Sequence, residues 1–109
     1  MMMKKIVLVV RVPSAYDIEL AKKVGPEWDK TIEYWKGQGA YVESFPFPQP
    51  GHVISGSDRQ VQKGMISWGG QKVVSIVVLQ AESVEQATEL AKRCPVLDHG
   101  GTVEVRERP

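Results

Sequence analysis

The chain has one cysteine, Cys94, so no disulfide can form within it, and a reducing, cytoplasmic setting is the expectation. Histidine is scarce too: His52 and His99 lie far apart and share no metal-ligand spacing with Cys94, so no metal site is expected. Charge of one sign is missing, because 14 Lys and Arg face 13 Asp and Glu for a net charge of +1. That balance offers no basic field to nucleic acid and no acidic tail. Long hydrophobic runs are absent: Ile6–Val10 is far too short to cross a bilayer, and Arg11 and Pro13 interrupt any leader-like reading of Lys4-Lys5 and the run after them. The paired glycines Gly69-Gly70 and Gly100-Gly101 carry no GxGxxG or P-loop pattern and read as turns, so no cofactor is implied. No repeat, low-complexity tract or linker divides the 109 residues, and a single domain over 1–109 is expected.

The residues present spell alternating strands and helices. Ile6–Val12 is β-branched and apolar on both faces, as a central strand is when both its sides are covered. Ser14 is a candidate cap for a short helical turn over Asp17–Val24, ended by Gly25-Pro26. Pro26 then suits the first position of a second helix, in which Trp28, Ile32 and Trp35 recur at i, i+4 and i+7 on a sheet-facing side. Tyr41–Phe47 alternates as a strand whose end Pro46 and Pro48 place at a sheet edge or in a polyproline-like exit. His52–Ser55 and Gln60–Ser67 read as hairpin partners around Gly56-Ser57-Asp58, and Val73–Leu79 as a second strand apolar front and back but for Ser75. Ser83 and Gln86 form a capping box for a helix that Pro95 stops near Cys94, and Thr102–Glu107 closes the chain with Val103 and Val105 on one side and polar residues on the other.

The order β-α-β-(hairpin)-β-α-β is the split βαβ plan, in which both crossover helices cover the same face of the sheet. Two strands apolar on both faces then leave one greasy face without cover. That conflict predicts an isologous homodimer formed sheet to sheet.

Ala81, Ser83, Ala87, Ala91, Cys94, Pro95, Gly100, Gly101, Glu104, Val105 and Arg106 make one spaced pattern in the C-terminal quarter. Through it the chain resembles the YCII-related family, in the branch named for its DGPF motif; the likeness is close over 73–107 and weaker from residue 4 onward. The resemblance implies a ferredoxin-like βαββαβ α+β domain with an antiparallel sheet, dimerising through the sheet face as a dimeric α/β barrel, with no settled reaction. The branch motif itself is degenerate, because Lys63, Gly64, Met65 and Ile66 stand where Asp-Gly-Pro-Phe is usual. The acid/base residues of the wider family are a histidine in the first helix and that aspartate. Glu27–Lys36 contains no histidine and Lys63 replaces the aspartate, which reverses the charge and favours an anionic ligand.

Weighed one by one, the candidate site residues are Arg11, Trp35, His52, Lys63, Trp68 and Arg106. Arg11 interrupts an inner strand and needs an anion, a carboxylate partner or a water-filled cavity; Arg106, on the closing strand's polar face, either joins it or pairs with Glu104 or Glu43. Trp28 and Trp35 are placed to cap a cavity between helix and sheet or simply to pack there, and Cys94 reads as a small core hydrophobe. The leading expectation is a cleft between sheet and helices that binds a small anionic, partly aromatic molecule. A cofactor-independent isomerase or monooxygenase with His52 as base is the first alternative, and a non-catalytic dimeric interaction module the second.

Overall fold

The structure, a computed structural model, describes residues 3–109. Its elements are β1 (Lys4–Pro13), α1 (Ile18–Gly37), β2 (Tyr41–Pro46), β3 (Gly51–Ser55), β4 (Gln60–Gly64), β5 (Ser67–Trp68), β6 (Gln71–Ala81), α2 (Val84–Ala91), a 3-10 helix (Pro95–His99) and β7 (Thr102–Glu107). The fold is α+β, with two α-helices and an antiparallel main sheet in the order β2–β6–β1–β7, to which β5 adds a short pairing at the start of β6.

Register sorts the side chains into two faces. Ile6, Leu8, Val10 and Val12 of β1, with Val77 and Leu79 of β6, point towards the helices and are fully or almost fully buried. They form one core with Val24 and Trp35 of α1, Ala87 and Ala91 of α2, and Cys94 and Val96 beyond it. The opposite face carries Val7, Val9, Ile76 and Val78, none of them fully buried, with Phe45 48% exposed at its edge. No element of the chain covers that face among the described residues.

The N-terminal helical region departs from expectation. A single 20-residue helix runs from Ile18 to Gly37 with Pro26 inside it, and the cap is Asp17, whose side chain accepts from the Leu20 amide at 2.9 Å, rather than Ser14. Proline in a helix interior removes one hydrogen bond and crowds the preceding residue. Here that residue is Gly25, which has no Cβ to crowd, so the helix continues through the dipeptide that reads as its end. At α2 the Ser83 cap holds as expected, accepting from the Gln86 amide at 3.1 Å, while the Gln86 side chain reaches past Ser83 to accept from Glu82 N at 2.7 Å.

The hairpin also differs in extent. β4 ends at Gly64, and β3 and β4 form a separate two-stranded sheet that packs on no other strand or helix to any extent. The radius of gyration, 15.0 Å, exceeds the ~13 Å of a compact domain this long, because this arm projects from the body.

Candidate functional site

The helix-facing side of the sheet is filled by core side chains at one end and hollow at the other. α1 buries Val24, Thr31 and Trp35 along one stripe. Trp35 donates its indole N–H to the Leu90 carbonyl at 3.0 Å, and Thr31 Oγ1 donates to the Arg93 carbonyl at 3.0 Å, which fixes the C-terminal half of α1 to the end of α2. The neighbouring stripe, Ile18, Ala21, Gly25, Trp28 and Ile32, has its smallest members in the middle. Between it and Ser44, Pro46, Val74, Ser75 and Val77 opens a cleft of about 640 Å³ whose walls are mostly apolar. That volume lies within the range of small-molecule sites, roughly 300–1,000 Å³.

A bulge in β6 shapes the floor. The β1–β6 register shifts between Val10 and Arg11, so Val74 has no partner in β1 and lines the cleft beside Ser75. Phe47-Pro48-Gln49, leaving the edge strand, form one rim, and Trp28 stands edge-on to Trp35 with ring centroids 6.3 Å apart. Tyr16 closes one end. It is 7% exposed, burial raises its phenol pKa above the ordinary value, and its ring meets His99 edge-on at 6.3 Å. Four charged residues border the cleft: Asp17, Lys22, Asp29 and Lys72. Lys22 lies 3.9 Å from Glu19, whereas half-buried Lys72 has no ion-pair partner among the described residues.

None of the six residues singled out from the sequence lines this cleft. Arg11 sits on the opposite, open face of the sheet and donates to Glu104 Oε1 at 2.7 Å; Arg106 donates to Glu104 Oε2 at the same distance. The two guanidinium groups hold the Glu104 carboxyl below its ordinary pKa. Trp35 is fully buried in the core. His52 and Lys63 face each other across the projecting hairpin, both exposed, and Trp68 is 81% exposed beside it. The structure thus brings Arg11 together with Arg106, and His52 with Lys63, at places remote from the hollow. Trp28 is the one cavity-capping candidate that does line it.

Among the described residues no group of three His, Cys, Asp or Glu side chains converges as a metal site would require, and no helix is long and apolar enough to cross a membrane. Burial pushes the Cys94 thiol up to about 12. Two results are expected from that. The native protein should resist a thiol reagent at pH 8 and react stoichiometrically once denatured, as an absorbance assay would show; fast native labelling would contradict the burial. Stability should also fall as pH climbs from about 9 towards 12. Above its ordinary value of 9.0 the thiol ionises in the unfolded chain but keeps its proton in the folded one, so the folded state is the one disfavoured.

Compared with protein-family models and with curated proteins, the chain matches none.

Proposed function

We propose that this chain is a YCII-related domain with ferredoxin-like wiring, that it pairs as a homodimer through the open face of its sheet, and that its cleft holds a small, partly aromatic molecule bearing a carboxylate. The strand order β2–β6–β1–β7, with a helical crossover between β1 and β2 and another between β6 and β7, supports the ferredoxin-like reading. The open face of Val7, Val9, Ile76 and Val78 supports pairing, since aliphatic side chains gain about 25 cal/mol for each Å² removed from water. A lone, buried thiol suits the cytoplasm.

The observation that carries the ligand reading is the cleft itself. It is open rather than filled by side chains, which favours a binding protein over a module with a plugged pocket. Trp28 and Phe47 offer ring faces and edges to a planar guest. Lys72, half-buried and without an ion-pair partner among the described residues, is a cation suited to a carboxylate at the cleft's edge.

A titration followed by NMR tests this reading, with benzoate, phenylacetate and indole-3-carboxylate as probes and benzamide as the uncharged control. The Trp28 indole N–H signal should move with the carboxylates at millimolar concentration. Lys72→Gln should weaken their binding by roughly 10–100-fold, the worth of about 1.5–3 kcal/mol for a hydrogen bond to a charged group. Its effect on benzamide should be small. Trp28 signals that ignore every probe, or a Lys72→Gln variant that binds carboxylates as well as the parent, would remove the assignment.

A further inference from the structure

The projecting hairpin has no stabilising partner of its own. A two-stranded antiparallel ribbon alone in water is marginal at best, yet among the described residues β3 and β4 pack closely on no other strand or helix. Their register sets Ile54 directly opposite Val61, so the two form an apolar pair on one face of the ribbon, 66% and 60% exposed. Met65, Ile66 and Trp68, immediately after β4, are 47%, 68% and 81% exposed. This greasy skin meets the main sheet at Trp68, which pairs with Gln71 of β6 on the face that also carries Arg11. A groove of about 260 Å³ at the root of the arm is lined by Pro50, Met65 and Val73, and it shares Phe47, Lys72 and Val74 with the helix-side cleft.

Areas support a second copy as the cover. The chain exposes 7478 Å² of accessible surface, whereas a compact monomer of 12.1 kDa exposes about 6,000 Å². The surplus is larger than the roughly 800 Å² of accessible surface that each partner gives up in a stable interface. A second copy laid over the arm and the open sheet face together would return the chain to ordinary exposure.

We infer that the β3–β4 arm of each protomer clasps a second copy of this chain, laying the Ile54–Val61 pair and the Met65–Trp68 segment on its partner. The inference rests on the sheet-to-sheet dimer proposed above. It assigns the arm a role that its own fold leaves unexplained.

Sedimentation velocity across a concentration series separates the two ideas. The full chain should be a dimer. The double variant Ile54→Thr with Val61→Thr should raise the dimer dissociation constant by roughly 10-fold, because two aliphatic contacts become hydroxyls that must be desolvated. Threonine keeps the strand preference at both exposed positions, so circular dichroism and the melting temperature of the dilute protein should not change. Trp68→Ser should weaken the dimer in the same direction. A double variant that dimerises like the parent overturns the arm while leaving the sheet interface standing; in that case Ile76→Lys alone should break the dimer. A full chain that stays monomeric at every concentration overturns both.

Discussion

Trp35→Ala is expected to cost about 3–5 kcal/mol of stability, the range for truncating a large buried aromatic. Trp35 is the largest fully buried side chain in the protein. Its removal leaves a cavity where α1, α2 and the sheet meet. The change also removes the indole donor from the Leu90 carbonyl, which keeps its longer bond from the Arg93 amide at 3.3 Å, and the lost hydrogen bond adds to the cost. Domains of this size unfold with about 5–15 kcal/mol to spare, so the variant should lose at least about a fifth of its stability. Urea unfolding should show a lower midpoint with an unchanged slope. Trp35→Phe keeps most of the volume but not the donor and should fall between the two. If Trp35→Phe costs as much as Trp35→Ala, the hydrogen bond outweighs the packing and the cavity argument is wrong.

Gly101→Ala is the second large effect, and its cause is space rather than backbone conformation. A Cβ at Gly101 would lie 2.8 Å from the Arg11 carbonyl oxygen, 2.8 Å from Val96 Cβ and 2.8 Å from the Val96 carbonyl oxygen. Two of those atoms are backbone, one in the central strand β1 and one in the 3-10 helix, and neither is a flexible side-chain tip. The Gly101 amide also donates to that Val96 carbonyl at 2.9 Å, so the chain is pinned where the new methyl would intrude. Overpacking of this kind typically costs about 1–3 kcal/mol, and the upper end is expected here. Two neighbours make the comparison. Gly100, at φ +80°, should lose about 1–2 kcal/mol on becoming alanine through left-handed strain alone, since the added methyl meets only Pro13, at 3.5 Å. Gly37, with nothing within 4 Å of the added methyl, should tolerate alanine within about 0.5 kcal/mol. A Gly101→Ala variant as stable as the parent would mean that the 3-10 segment shifts as a body away from β1.

The fold was largely legible where the local chemistry is unambiguous. Ser83 capped the helix it was expected to cap, and the two strands apolar on both faces, β1 and β6, lie side by side inside the main sheet. Gly25-Pro26 misled because proline's penalty falls partly on the residue before it, and a glycine there escapes that part. The site was far less legible. Charged and aromatic residues in unusual places drew attention to Arg11, Lys63 and Trp68, but Arg11 is answered by Glu104 and the other two lie outside the body of the fold. The cleft arises instead from small residues, Ala21 and Gly25, four apart on the helix face that looks at the sheet, opposite a bulge at Val74. The helical spacing of Ile18, Ala21, Gly25, Trp28 and Ile32 is visible in the sequence as a stripe with a thin middle. That a thin stripe faces an empty stretch of sheet, and not a tight contact, depends on the bulge and on where the edge strand ends.

The place of β1 between β6 and β7 also governs how the chain comes into being. Its hydrogen-bonding neighbours begin at Gln71 and Thr102, so β1 emerges from the ribosome well ahead of both. At about 5–20 residues per second, the wait before β7 arrives is roughly 5–20 s. Throughout that interval the uncharged run Ile6–Val10 is the kind of segment that sticks to its like in a polysome crowd. Lys4 and Lys5 before it and Arg11 after it are gatekeepers against that encounter, guarding the nascent ribbon until its true neighbours arrive.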